Sequence, residues 1–337
     1  MRSNVLAVVV VAVLAAACVG VTPLATPTPS ATPAATATAT TSPLPSEEPS
    51  GTPAASATVG ATATVSPVAT PAPSPTLPAV PTPSGTAAIP KAVIIVGPTD
   101  EQTQTNLEQG EVMAQKAEAA GMQVSRVFYP HATWDSVLAA IQGASFVAYF
   151  GHGYGWPSNT PELWEVQQDG MGLNKYDGSS AGEVHYYGAN KLRESIRLAP
   201  HAVVFLMRGC YTAGNGLNTS PIPPLDVARQ HVDNFASGWL AVGAGAVFAF
   251  AFGTHSDYSS RLMTADATTV DDMFSSAGDA IGINPLYFES VRTPGARNHL
   301  DPDPGKGYLR AVSGDLAMTA ATWRSGAGQI VVVSSSL

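Results

Sequence analysis

The strongest constraint on the fold is a set of four uninterrupted apolar runs, each of the length of a single strand. These runs are AVIIV from Ala92, FVAYF from Phe146, AVVFLM from Ala202 and AVFAFAF from Ala246. Parallel strands have this composition, because helices cover them on both faces of the sheet. A less apolar strand, MQVSRVFYP from Met122, and a final run, QIVVV from Gln329, complete the predicted set.

Helix signals occupy the segments between these strands, with a capping residue at the start or a glycine at the end. Strands that alternate with helices predict an α/β fold with a mostly parallel sheet and helices on both faces. The predicted helices are Glu101–Ala120 after Thr99 or Asp100 and before Gly121, WDSVLAAIQ after Thr133 and before Gly143, Asn190–Ala199, and Val232–Val242.

The first 90 residues have a different composition and cannot contribute to that sheet. They contain 16 of the 28 prolines and only three charged side chains, Arg2, Glu47 and Glu48. Such a segment buries too little apolar surface to offset its conformational entropy, and its dense proline favours an extended chain. We therefore predict a disordered Pro/Thr/Ala/Ser-rich tether over residues 19–89 and a folded domain over residues 90–337.

Residues 1–18 have the features of an export signal. Arg2 precedes an apolar run of 13 residues, Val5–Ala17, which is shorter than a bilayer span of about 20 residues. Cys18 follows three alanines, and this placement resembles a bacterial lipobox, which implies a lipidated cysteine. The expected location is extracytoplasmic, with a lipid anchor in the cell membrane and the cell wall within reach. Secretion after simple cleavage and an uncleaved anchor are the alternatives.

Charge and motifs argue against several other functions. Residues 91–337 carry 15 Lys and Arg against 23 Asp and Glu, a net charge of −8 without a basic cluster, so nucleic acid is not an expected partner. The chain contains no G-x-G-x-x-G, no G-x-x-x-x-G-K-[ST] and no G-x-S-x-G. Zinc-site and EF-hand spacings are also missing, so we expect neither a nucleotide cofactor nor a metal.

Two of the apolar runs end in residues that can do chemistry. His152 follows FVAYF between two glycines, and Cys210 follows AVVFLM within a turn-like segment. Ligands of open α/β sheets bind beyond the carboxyl ends of the strands, and neighbouring strands lie about 4.8 Å apart. If these two strands are neighbours, the imidazole and the thiol lie close together. Cys210 is the only cysteine of the folded domain, so no disulfide partner is expected within it. A buried structural cysteine and a loop histidine are the alternative interpretation.

This pattern resembles the caspase-like cysteine peptidases, a group that includes caspases, gingipains and CHAT-domain proteins. In these proteins an apolar strand ends in His-Gly, and about 50 to 60 residues later another ends in x-Gly-Cys. Here His152 and Cys210 are 58 positions apart. The later segments NFASGWLAVGAGAVFAF and SSRLM are similar to the helix, strand and helix that follow in the family. The chain also resembles a group of exported bacterial proteins with GHG-x-GWPS and CY-[TA]-[SA]-GN segments. Cys210 lacks the Gln-Ala-Cys-x-Gly context of caspases.

The resemblance implies a caspase-like three-layer sandwich and the hydrolysis of peptide bonds by a Cys-His dyad. Cys210 is implied as the nucleophile, and His152 as the group that moves protons for it. The backbone N–H groups of Gly153 and Cys210 are implied as the oxyanion hole. A peptide or protein is the implied substrate. No third residue that would extend the dyad to a catalytic triad is identifiable.

Two polar inserts, residues 154–188 and 211–230, leave the same expected edge and are predicted to lie outside the core. Loops longer than about 15 residues are usually functional or disordered, and their aromatics can form a substrate wall. A loop held by its own aromatics is the alternative. Arg208 can lower the pKa of the neighbouring thiol or contact a substrate carboxylate. The substrate-binding candidates are Arg208, Trp156, Asp169, Asp177 and Asp226, with the aspartates considered for a basic P1 side chain.

The sequence thus predicts an exported, surface-tethered cysteine endopeptidase-like domain. The rival prediction is a catalytically inactive module on the same fold, which binds cell-wall or protein partners through its glycine-rich loops. Acyl transfer in place of hydrolysis would use the same dyad. The position of His152 relative to the Cys210 sulfur, and the burial of that sulfur, distinguish the enzyme from the binding module.

Overall fold

The computed structural model describes residues 89–155, 163–216, 221–251, 257–264 and 266–327, and all of them belong to one compact unit. The predicted export signal with Cys18, the predicted tether up to residue 88, Trp156 and the final QIVVV run lie outside the described residues. Within the described ranges, no helix combines the length and the apolar character that crossing a bilayer requires.

Strands of the described part form one large sheet and one small hairpin. Their bounds are β1 (Lys91–Val96), β2 (Gln123–Phe128), β3 (Phe146–Phe150), β4 (Met171–Asn174), β5 (Val184–Tyr187), β6 (Ala202–Met207), β7 (Ala244–Phe250), β8 (Leu286–Glu289), β9 (Arg297–Asp303) and β10 (Gly307–Gly314). The large sheet has eight strands in the order β2-β1-β3-β6-β7-β10-β9-β8, and β4 pairs with β5 in an antiparallel hairpin.

The large sheet has a parallel part and an antiparallel part. Strands β2, β1, β3, β6 and β7 run parallel to one another, which confirms the predicted α/β class and the predicted central strands. Beyond β7 the strands β10, β9 and β8 pair in antiparallel fashion. This extension was not predicted, because its strands contain charged and polar residues in place of an apolar run.

Helices connect the parallel strands, and two of them have the predicted ends. Thr133 caps α2 through a reciprocal pair of hydrogen bonds with Ser136, and Gly121 and Gly143 adopt positive φ angles after α1 and α2. The helix α1 starts after one short 3₁₀ turn, so the predicted caps Thr99 and Asp100 do not begin it. The helices are α1 (Thr103–Ala119), α2 (Trp134–Ile141), α3 (Ala189–Ser195), α4 (Leu225–Ala241), α5 (Tyr258–Thr264), α6 (Val270–Ser275) and α7 (Ala320–Gly326).

Alternate side chains of the central strands enter two separate hydrophobic cores. Val204 and Leu206 of β6 join a core formed with α2, α3 and α4, whereas Val203 and Phe205 join a core formed with α1, α5, α6 and α7. A strand with period-two side chains can be apolar throughout only when both faces are covered. The uninterrupted apolar runs in the sequence are therefore explained by two buried faces.

The two polar inserts are more ordered than the sequence predicted. The first insert contains the β4–β5 hairpin, and every residue of β4 is buried, so the prediction that this segment stays outside the core was wrong for β4. In the second insert, α4 begins at Leu225 and not at Val232. β4 is buried because Met171 and Leu173 enter the core on the α4 side, although polar residues surround them in the sequence.

Candidate active site

Strands β3 and β6 place His152 and Cys210 at the same edge of the large sheet. The two strands are parallel neighbours with Phe150 opposite Met207, and the chain leaves the sheet directly beyond this pair. His152 follows Phe150 by two residues, and Cys210 follows Met207 by three. The condition on which the predicted site depended, adjacency of the two strands, is therefore met.

Gly153 brings the two strand ends into backbone contact. A β-carbon at Gly153 would lie 1.9 Å from the carbonyl oxygen of Cys210 and 2.9 Å from its amide nitrogen. A β-carbon at Gly209 would lie 3.4 Å from the amide nitrogen of Gly153. Only glycine permits so close an approach of two chain segments. The two amides that the resemblance assigns to an oxyanion hole thus belong to residues that touch.

Cys210 lies in a turn with an unusual backbone. Arg208 and Tyr211 on either side of it have φ angles of 63° and 71°, although neither is glycine. Left-handed backbone costs a non-glycine residue about 1–3 kcal/mol and is concentrated at functional sites. The Arg208 amide donates to the carbonyl of Phe250 at 2.7 Å, which fixes the start of the turn. The Cys210 side chain is 8% exposed and packs in the core on the α4 side.

The Cys210 sulfur is disulfide-bonded in the structure, and its partner lies outside the described residues. The sequence had predicted no partner for it within the folded domain. Nucleophilic chemistry requires a thiolate, so it can belong only to the reduced protein.

His152 is half-buried beside Cys210, and its surroundings favour the neutral imidazole. Burial lowers the pKa of His152, and the negative charge of Asp100 opposes that shift only in part. A neutral imidazole at neutral pH can accept the proton of a thiol. Asp100 follows the end of β1 with a left-handed φ of 47°. The sequence had suggested Asp100 only as a helix cap, so its electrostatic effect on His152 was missed.

The Tyr149 hydroxyl ties the backbone of His152 to the β4–β5 hairpin. This oxygen lies 2.9 Å from the carbonyl oxygen of His152 and 3.0 Å from that of Gly172, and it accepts the Gly172 amide at 2.8 Å. A β-carbon at Gly151 would lie 2.2 Å from the same oxygen. Sequence reasoning missed Tyr149. The available signal was a hydroxyl within an otherwise apolar strand, since a buried tyrosine hydroxyl needs a partner.

Aromatic side chains of the first insert flank His152. The ring of Tyr186 lies 6.3 Å from the imidazole and 5.3 Å from the ring of Tyr154, centroid to centroid. A β-carbon at Gly172 would lie 3.2 Å from the Cβ of His152, so the hairpin packs directly against this residue. Burial raises the pKa of Tyr186 to about 12. The hairpin therefore forms an uncharged wall on one side of the site.

The other candidate residues lie in different surroundings. The Arg208 guanidinium donates to Gln102 at 2.9 Å, and burial lowers its pKa. Asp177 is exposed and pairs with His131 at 2.6 Å, and Asp226 is exposed in the first turn of α4. Neither of these two aspartates has a described contact with His152 or Cys210.

Asp169 is buried, in contrast to the other two aspartates considered for substrate recognition. Its side chain is 1% exposed, and its amide donates to the carbonyl of Tyr154 at 2.8 Å. Tyr154 follows His152 by two residues, so Asp169 is joined to the segment that carries the imidazole. Among the described residues, no group of three or more His, Cys, Asp and Glu side chains could hold a metal ion.

No protein-family model matches the sequence, and no curated protein is significantly similar to it. The chemical interpretation of the site therefore depends on the geometry of the strand ends and on the residues quoted above.

Proposed function

We propose that this chain is an exported cysteine peptidase of the caspase-like type, held at the cell surface by a lipid at Cys18 and by the proline-rich tether. The observation that carries the proposal is the adjacency of β3 and β6, which brings His152, Gly153 and Cys210 to one sheet edge. The caspase-like three-layer arrangement belongs to the same proposal. It is supported by helices on both faces of the sheet and by the quoted sequence segments.

The reaction begins from reduced Cys210. His152 accepts the thiol proton, and the thiolate attacks the carbonyl carbon of the substrate amide. The amides of Gly153 and Cys210 donate to the oxyanion that forms. The C–N bond then breaks, and the imidazolium of His152 protonates the leaving amine. Water, deprotonated by His152, hydrolyses the resulting thioester to a carboxylate and restores the thiol. Attack by an amine in place of water would give acyl transfer.

The test uses the full chain after reduction, with a peptide library as substrate. Cys210→Ala and His152→Ala should each lower kcat/KM by at least about a thousandfold, because they remove the nucleophile and the proton carrier. His201→Ala is the matched control, because His201 is exposed at the opposite, amino-terminal end of β6. Cleavage that persists in Cys210→Ala, or a reduced native protein that neither cleaves nor reacts with thiol reagents between pH 5 and 9, would refute the peptidase.

The second candidate function is a catalytically inactive binding module on the same fold. The disulfide at Cys210 and the 8% exposure of its side chain favour this candidate, because a nucleophilic cysteine must be a free thiolate that the substrate can reach. It predicts saturable binding of cell-wall or protein partners that survives Cys210→Ala and does not depend on reductant. Activity that appears on reduction would decide for the enzyme.

A further inference from the structure

The turn that carries Cys210, residues 208–215, is closed by hydrogen bonds of its own backbone. In this Cys210 turn the Tyr211 amide donates to the carbonyl of Asn215 at 2.8 Å, and the Gly214 amide donates to the carbonyl of Tyr211 at 3.2 Å. Tyr211 has a left-handed φ of 71°. Left-handed backbone in a residue other than glycine persists only where the surrounding structure enforces it. The conformation of Tyr211 therefore depends on what holds Asn215 in place.

The antiparallel part of the sheet holds Asn215. Its side-chain amide donates to the carbonyl of Lys306 at 2.8 Å, and its side-chain oxygen accepts the Tyr308 amide at 2.8 Å. Its backbone amide donates to the carbonyl of Tyr308 at 3.1 Å. Both partners lie where β9 passes into β10, in residues 303–308, which we call the β9–β10 turn. Asn215 thus makes hydrogen bonds to two parts of the chain, the Cys210 turn and the β9–β10 turn.

Two glycines allow these parts of the chain to approach closely. A β-carbon at Gly307 would lie 2.7 Å from the side-chain oxygen of Asn215, and a β-carbon at Gly214 would lie 2.6 Å from the Cβ of Tyr308. The pairing of β9 with β10 also shifts register just beyond Tyr308. Irregularities of this kind are frequent next to active sites, where they redirect the chain. The antiparallel extension is therefore fitted closely to the segment that carries the candidate nucleophile.

The peptide unit that joins Cys210 to Tyr211 connects Asn215 to the candidate active site. A peptide unit is planar, so fixing the Tyr211 amide also fixes the direction of the Cys210 carbonyl. That carbonyl faces Gly153, since a β-carbon there would lie 1.9 Å from its oxygen. Gly153 directly follows His152. A displacement of Asn215 therefore moves Cys210 relative to the segment that carries His152.

We infer that Asn215 is a positioning residue of the candidate active site, an inference that rests on the proposed function. Its side chain attaches the Cys210 turn to the β9–β10 turn, and this attachment keeps the nucleophile and the amides of Gly153 and Cys210 in one arrangement. Misplacement of a reacting group by about 1 Å can lower a rate by about a hundredfold. Because Asn215 acts through the backbone of the turn, its loss changes kcat and not KM.

The test uses the full chain after reduction, with a peptide that the native protein cleaves. Asn215→Ala removes both side-chain hydrogen bonds, and we expect kcat to fall by at least about tenfold while KM stays within about twofold. Asn215→Asp keeps the acceptor for the Tyr308 amide and loses the donor to Lys306, so its kcat should lie between these values. This variant keeps the test decisive if Asn215→Ala folds poorly. The matched control is Asn298→Ala, because this buried asparagine of β9 donates to Asp233 and should leave kcat unchanged.

A second measurement does not depend on catalysis. Amide hydrogen exchange of residues 208–215, followed by mass spectrometry, should be at least about tenfold faster in Asn215→Ala, while exchange in the parallel strands stays unchanged. Unchanged exchange in this segment, faster exchange with native kcat, or an equal loss of kcat in Asn298→Ala would each overturn the positioning role. A native protein that cleaves nothing refutes the peptidase, whereas the exchange measurement still decides whether Asn215 couples the two turns.

Discussion

Buried aspartates occur both in the antiparallel strands β8 to β10 and at the carboxyl edge of the parallel strands. The two regions differ in the partners that they provide for the carboxyl groups. In the antiparallel part, Asp301 contacts Arg310 and two backbone amides, and Arg310 stacks on the ring of Phe274. At the parallel edge, Asp169 has no partner for either oxygen. Buried polar groups are normally hydrogen-bonded, so the contacts of Asp301 stabilise the fold. The unpartnered carboxyl group of Asp169 lowers the stability of the fold, and its burial therefore needs another explanation.

Backbone geometry separates the same two regions. The left-handed residues other than glycine are Asp100, Asp169, His201, Arg208 and Tyr211 among the described residues. Arg208 and Tyr211 follow the end of β6, Asp169 lies in the insert that packs on this edge, and Asp100 follows the neighbouring β1, whereas none of the five lies in β8 to β10. Strain and unpaired charge therefore occur together at the parallel edge, as expected where structure serves a site and not only the fold.

The largest expected effect tests the satisfied side of this comparison. Asp301→Asn removes the carboxylate that pairs with Arg310, which is itself 4% exposed, and leaves a buried guanidinium without its main partner. We expect the free energy of unfolding to fall by about 3–5 kcal/mol, measured by urea denaturation at pH 7. The control Asp303→Asn, on the same strand, should lose at most about 1 kcal/mol, since Asp303 accepts the Gly305 and Lys306 amides in a turn and pairs only with the exposed Lys306 ammonium. Equal losses in the two variants would show that the buried pair of Asp301 and Arg310 stabilises the fold no more than the contacts of Asp303 do.

Asp169→Asn is expected to increase the free energy of unfolding, in contrast to Asp301→Asn. The pKa of Asp169 is raised to about 8 in the folded protein, above the unfolded value of 3.8, so its contribution to stability is present below about pH 4 and is lost as the pH rises to about 8. The variant lacks this loss, and we expect it to be more stable than the native protein by several kcal/mol at pH 9, with no difference below pH 4.

Urea denaturation at a series of pH values measures this difference. Asp226→Asn provides the exposed control, and its stability should follow that of the native protein across the series. A destabilised Asp169→Asn at pH 9 would mean that the carboxylate has a stabilising partner, and the contrast between the two regions would then disappear.

The parallel part could be predicted from the sequence because each of its determinants is local. An apolar run such as FVAYF predicts a strand buried on both faces, and a Thr133 followed by an amphipathic segment predicts a capped helix. The antiparallel extension could not be predicted in this way. Residues of β9 such as Asn298 and His299 are polar in sequence, and they become buried only because α4 and α6 supply partners from far along the chain.

The same division holds within the candidate site. His152 and Cys210 could be predicted from their position after buried strands, because strand ends in such sheets carry function. The burial of Asp169 could not, since it results from the packing of its segment against Tyr154 and the β4–β5 hairpin. Asp177 and Asp226 have the same side chain and lie in equally polar segments, yet both are exposed. Residue type alone does not separate these three aspartates.

The smallest expected change in stability, and the sharpest test of the parallel edge, is Tyr149→Phe. The variant keeps the buried ring and removes the hydroxyl that links His152 to Gly172. We expect a loss of about 1 kcal/mol in the free energy of unfolding, the usual net value of a hydrogen bond. Because the backbone of His152 is then less fixed, kcat should fall by about tenfold with KM unchanged.

Two further measurements distinguish positioning by Tyr149 from a general loss of stability. The pKa of His152 is lowered by burial, and freeing its backbone should move its titration, followed by NMR, upward toward the ordinary value of 6.5. Tyr258→Phe is the matched control, because this buried hydroxyl bonds to Met273 on the opposite face of the sheet. The control should lose similar stability while kcat and the titration of His152 stay unchanged. If both variants change kcat and the His152 titration equally, Tyr149 supports only the fold, and the parallel edge loses its positioning residue.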